Sequence, residues 1–203
     1  MINIKGLIIS VILIMCIAWP YSVSAKTKVS GSEFAWAMAH PFIAIKAKKI
    51  SKRVIYITDS LEAAGVLKDR SGGQLDAFKH AFWMASLSQQ IKKKKAYKLG
   101  LAHEKFNFRQ AKKGKGGGDK AASDMDLWNN RVGASLGFDN RQLSESALIE
   151  LVINWVLQGK MRVIKKDAQG NSLDSNGQLI DKLTLKTWVN KRCLVPSDYR
   201  YNE

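Results

Sequence analysis

The sequence predicts a mainly α fold, a compact helical bundle with a small C-terminal β hairpin or ribbon. Three observations carry this. Apolar residues recur at helical spacing through most of residues 32–157. Glycine or proline marks several of the boundaries between those stretches, as at His40-Pro41, Ser71-Gly72-Gly73 and Gly159. From Met161 the period shortens to that of strands and tight turns, as in Met161-Arg162-Val163-Ile164-Lys165 and Asp174-Ser175-Asn176-Gly177.

Residues 1–25 have the build of a cleaved signal peptide. Lys5 is the positive start, Leu7 to Trp19 the apolar stretch, and Val23-Ser24-Ala25 the small residues before a cut. The apolar run is short of the roughly 20 residues a spanning helix needs. The expected location is therefore exported, periplasmic or secreted. What remains, residues 26–203, has the size of a single helical domain. Cleavage removes one lysine and no acid, which lowers the formal net charge from +16 to +15. Such an excess favours anionic partners: an envelope polymer, phospholipid or nucleic acid. Of the two cysteines only Cys193 would survive cleavage, which excludes an internal disulfide and a cysteine-ligated zinc site.

The elements follow in order. Ser32 is placed to cap a short helix through Met38, closed by His40-Pro41. From Pro41, Ile43, Ala47, Ile50, Val54, Ile57 and Leu61 form the inner side of a long helix whose Lys46, Lys49 and Arg53 face outward. Ser71-Gly72-Gly73 breaks the chain before a central helix from about Gln74 to Ile91, apolar nearly all round. Lys92 to Lys95 reads as a return to solvent. A helix from Ala96 to Gln110 carries Leu99, His103 and Phe106 on one side, and a basic glycine-rich loop from Ala111 to Lys120 follows. Ser123, with Asp126 three residues on, has the pattern of a capping box for the next helix. That helix would turn Met125, Trp128, Asn129, Val132 and Leu136 inward, with Gly133 allowing close approach of another backbone. Ser144 to Leu157 is a scaffold helix stopped by Gly159. The ribbon spans about residues 161–181, and Leu183 to Lys191 closes the chain as a strand or short helix.

Function concentrates in residues 71–138. Asp76 and His80 lie one turn apart, so both leave the same face of a helix with little other polarity. Burying a carboxylate and an imidazole costs several kcal/mol unless they are paired or bound to a cation. His103-Glu104 and Asp126-Leu127-Trp128-Asn129-Asn130 supply the groups able to answer them.

These residues carry a resemblance. Gly73, Asp76-Ala77-Phe78-Lys79-His80-Ala81-Phe82-Trp83, His103-Glu104 and Met125-Asp126-Leu127-Trp128-Asn129-Asn130-Arg131-Val132-Gly133 resemble the pattern of an uncharacterised bacterial domain family. It is found in exported proteins and at the ends of toxin-like or wall-associated proteins. Lys79 stands where that family tends to have arginine. The resemblance implies a mostly helical fold and a shared polar centre, and transfers no activity.

The chemistry is read from the side chains. Asp76, His80 and His103 are the candidate ligands of a divalent metal, zinc or manganese, and Glu104, Asp126, Asn129 and Asn130 the candidate catalytic groups. Such a metal would activate water, with Glu104 or Asp126 as general base and the asparagines orienting substrate, for hydrolysis of phosphate esters. A metal-free alternative has Asp76 orient His80 as the base. The competing class is a non-catalytic envelope-associated protein, its Asp, His and Asn groups forming a buried network that pairs Asp76 with His80 and His103 with Asn129.

Overall fold

The computed structural model describes residues 30–113 and 118–200. The expected signal peptide and residues 114–117 of the basic loop lie outside the described residues. The fold is mainly α, as the periodicity predicts. Its helices are α1 (Gly31–Ala39), α2 (Pro41–Ala63), α3 (Gln74–Gln90), α4 (Lys93–Lys112), α5 (Lys120–Asp139) and α6 (Glu145–Leu157). Strands β1 (Arg162–Ile164) and β2 (Leu194–Pro196) pair antiparallel, Val163 opposite Val195.

α3 is the axis of the bundle and packs against α2, α4, α5 and α6. Leu75, Phe78, Phe82, Met84 and Leu87 are fully buried on it, because four neighbours cover its circumference. Its contact with α5 is the closest. A methyl group on Gly133 would run into the carbonyl oxygen of Ala81, and one on Gly137 into that of Ala85. Two glycines one turn apart, facing two alanines one turn apart, let the backbones touch. That approach brings Asp126 and Asn130 of α5 to His80 of α3.

Three helix starts differ from the sequence expectation. Ser30, not Ser32, caps α1: its hydroxyl accepts from the Glu33 amide, and the Glu33 carboxylate accepts from the Ser30 amide. Ser32 instead donates to the Ala102 carbonyl, 2.7 Å away on α4. Lys93 to Lys95 do not return to solvent as a loop but form the first turn of α4. α5 starts at Lys120, capped by Asp119, whose Oδ1 accepts from the Ala122 amide at 2.8 Å. Asp119 Oδ2 also takes Arg192 Nη1 at 2.9 Å and Asn190 Nδ2 at 2.8 Å. This long-range anchoring outweighs the local Ser123 pattern, so Asp126 is no capping acid but sits two turns inside the helix. Trp128 faces outward, 39% exposed, beneath the Arg162 guanidinium 4.8 Å from its ring.

The C-terminal segment departs from a self-contained ribbon. Within residues 161–181 only the bridges Lys166 to Ser172 and Leu173 to Leu179 form, while β1 takes β2 as its ladder partner. Thr184–Lys186 is a single 3-10 turn. Ser197 ties this segment to the bundle. Its buried hydroxyl donates to the Val156 carbonyl at 2.6 Å, and its carbonyl accepts from Gln74 Nε2 at 2.7 Å.

Candidate metal centre

The loop before α3 fixes Asp76. The Ile164 amide of β1 donates to the Gly72 carbonyl at 2.7 Å, and the Gly72 amide donates to Asp76 Oδ2 at 2.8 Å. Gly72 has φ +84°, and a side chain there would meet Ile164 Cγ1 at 2.7 Å. The loop is locked further by Lys166, whose ammonium reaches Asp69 Oδ2 at 2.5 Å and the Ser71 carbonyl at 2.6 Å. A β segment distant in sequence therefore presents one carboxylate to the polar centre.

Asp76 Oδ1 is 2.5 Å from Lys79 Nζ and 3.7 Å from His80 Nε2. His80 Nε2 is in turn 3.3 Å from Asp126 Oδ1. One ligand atom from each of Asp76, His80 and Asp126 lies within 4.8 Å of the other two. A tetrahedral zinc bound at about 2.0–2.1 Å holds its ligand atoms about 3.3 Å apart, so this group could hold a metal ion with small side-chain adjustments. Asp126, expected among the catalytic groups, joins the two expected ligands.

Five of the eight buried side-chain atoms without a partner among the described residues belong to the same group. His80 Nδ1, Asp126 Oδ1, Glu104 Oε1 and both amide atoms of Asn130 are buried without a hydrogen-bond partner. The Asn130 amide borders the His80 ring without a well-aligned bond to it, and stands against Gly100 of α4. Buried polar atoms of this kind cost about 1–3 kcal/mol each when nothing answers them.

The electrostatics point the same way. Burial pushes the Asp126 carboxyl well above the usual carboxylate range, and the charges of Glu104 and Asp76 push it further. Glu104 is also raised, by burial first, although His103, Asn107 and Ser123 work against the rise. Asp76 is lowered despite its burial, because Lys79 and His80 favour its charged form. Burial and the Lys79 ammonium bring His80 down to about 3, which leaves a neutral imidazole at physiological pH. Three mutually repelling carboxyls beside a neutral imidazole match the charge demand of a divalent cation.

The remaining expected residues are placed differently. His103 turns away to Glu33, its Nδ1 2.8 Å from Oε1, and its ring centroid is 6.4 Å from that of His80. Burial opposes its protonation, yet Glu33 and Glu104 raise its pKa. Glu104 accepts from Asn107 Nδ2 and Ser123 Oγ, each at 3.2 Å, through one oxygen. Asn129 does not meet His103, as the buried-network reading requires. It exchanges two 2.9 Å hydrogen bonds with the Arg162 backbone, which fastens β1 to α5. Glu33 is the partner that reading the central segments missed, and the Ser30-Gly31-Ser32-Glu33 capping box was its sequence signal.

Comparison with known families finds a match over residues 34–160, which takes in α2 to α6 and most of α1. The chain belongs to the family described as Domain of unknown function (DUF6973). The DUF6973 region includes Asp76, His80, His103, Glu104, Asp126, Asn129 and Asn130 and ends before β1. No curated protein and no solved structure matches the chain. Glu33, and the β1 segment that sets Asp76 through Gly72, fall outside the DUF6973 match.

Proposed function

We propose that Asp76, His80 and Asp126 bind a divalent metal, zinc or manganese, and that the protein is an exported metal-dependent hydrolase of phosphate esters. The observation that carries the reading is the three ligand atoms within 4.8 Å of one another, set among buried carboxyl and amide atoms that have no partner. Two carboxylates and one imidazole suit either metal, and three protein ligands leave a coordination position open, as catalytic sites require. A bound metal supplies a Lewis acid and lowers the pKa of water.

The protein's own groups would do the rest. Glu104, with one oxygen uncommitted, is the general base. The Asn130 amide is free to hydrogen-bond a substrate oxygen, whereas Asn129 is spent on Arg162. Lys79 and His103, the more exposed members of the group, form the rim where a phosphate would enter. His103, held by Glu33, can pass a proton to a leaving oxygen. The net positive charge draws anionic substrates toward the molecule.

The metal-free reading is weaker, because an imidazole with a pKa near 3 is a poor base at neutral pH and Asp76 is not within hydrogen-bond distance of it. The non-catalytic reading requires a satisfied polar network, and five orphaned atoms oppose it. The test is hydrolysis of an activated phosphodiester by purified protein loaded with zinc or manganese. Turnover lost in Asp126→Asn and His80→Ala but kept in Asn129→Ala supports the reading. Absence of turnover on phosphodiester, phospholipid and oligonucleotide substrates with either metal would leave the non-catalytic alternative.

A further inference from the structure

Two adjoining clefts, of about 570 and 660 Å³, lie at the end of α3 opposite the polar centre and share Lys92 and Arg141. From His80 to the end of α3 is about ten residues, or roughly 15 Å of helix. The clefts are strongly basic. Lys92, Lys93 and Lys94 come from the start of α4, Arg131 from α5 and Arg141 from the α5–α6 turn. Among the described residues none of these five has an acidic partner within ion-pair distance.

The start of α4 is electrostatically unfavourable as it stands. Helix N-termini carry partial positive charge and favour acids or hydroxyl caps. α4 instead opens with three consecutive lysines, no acid in its first turn and no side-chain cap. Cations placed against the dipole repel until an anion answers them.

Beside this charge lies exposed apolar surface. Phe42 lines the second cleft and is 79% exposed, and Ile45, three residues on, is 49% exposed. Lys46 and Lys49 continue the same face of α2 at helical spacing. Phe138, in the first cleft, has Arg141 4.1 Å and Lys93 5.6 Å from its ring centroid. Phe138 already has two cations against its ring, and Ile45 has no ring to offer a nucleobase. An aliphatic and aromatic ridge edged by lysines fits a bilayer, where apolar groups enter the acyl boundary and cations meet headgroup phosphates.

We propose that this end of the molecule docks on anionic phospholipid bilayers, with headgroup phosphates held around Lys92 and Arg141 and with Phe42 and Ile45 inserted. The surface is separate from the metal centre, and its test uses chelator-treated protein so that failure of the hydrolase reading does not affect it. The experiment is co-sedimentation with phosphatidylcholine vesicles, with and without phosphatidylglycerol. A fluorescent single-stranded oligonucleotide is the parallel probe. The expected result is binding only to vesicles containing phosphatidylglycerol, weakened about tenfold by Phe42→Ser, the loss of one buried aromatic side chain. The charge reversal Lys92→Glu with Arg141→Glu abolishes it, and Val189→Ser, at an exposed apolar position of the C-terminal segment, leaves it unchanged. All four positions are exposed, and Ile45→Ser provides a second apolar variant. Equal binding to neutral vesicles, binding indifferent to Phe42→Ser and Ile45→Ser, or binding of the oligonucleotide in place of vesicles would each overturn the proposal.

Discussion

His80 Nε2 and Asp126 Oδ1 face each other at 3.3 Å across the α3–α5 contact, yet Asp126 Oδ1 has no hydrogen-bond partner. The short separation goes with the close backbone approach of Gly133 and Gly137 to Ala81 and Ala85, which brings the two helices together. A carboxyl held there without a cation has its ionised form disfavoured by burial and by Glu104 and Asp76.

The first prediction concerns this carboxyl without metal. Its folded pKa lies above its unfolded value near 3.9, so the folded state binds more protons and stability falls as pH rises through that interval. Asp126→Asn removes the effect. In chelator the variant should therefore melt higher than wild type at pH 7, with the advantage shrinking toward pH 4. Zinc or manganese should reverse the order by stabilising wild type alone. Thermal melts with and without metal at both pH values check this.

Asn129→Ala should cost about 2 kcal/mol, because it strips the Arg162 amide and carbonyl of both partners. Metal stoichiometry should not change. Urea unfolding gives the first quantity and elemental analysis the second.

Gly133→Ala should destabilise by about 3 kcal/mol or prevent folding, since the new methyl meets backbone and not a movable side chain. Gly31→Ala, with nothing within 4 Å, is the matched control and should be near neutral. Circular dichroism of the two variants side by side separates the cases.

The His103 imidazole should titrate above its ordinary value near 6.5, since Glu33 and Glu104 outweigh its burial. The stability it contributes is complete below the unfolded pKa and lost as pH rises through the folded one. Glu33→Gln should move the midpoint of the His103 ring signals downward in an NMR titration. An unchanged midpoint would mean that the Glu33 contact does not hold in solution.

Much of this is legible in the sequence, for reasons that differ between residues. The apolar circumference of residues 74–91 predicts a central helix, and polar Asp76 and His80 within it mark the buried polar group. Gly133 forecast the close helix contact. The start of α5 was not legible, because Asp119 acts as its cap through Arg192 and Asn190, some seventy residues away. The pairing of β1 with β2 was hidden for the same reason, as its partner lies beyond the turn-rich segment that looked like a ribbon. Asp126 and Asn129 looked alike as polar residues on one helix. Only the third dimension sends Asp126 to His80 and Asn129 to the Arg162 backbone.

The most direct measurement is metal content of the purified protein by elemental analysis after incubation with zinc or manganese and removal of excess. The account predicts close to one ion per chain in wild type and in Asn129→Ala, and almost none in His80→Ala or Asp126→Asn. A wild type that retains no metal, or an Asp126→Asn variant that retains as much as wild type, would contradict it.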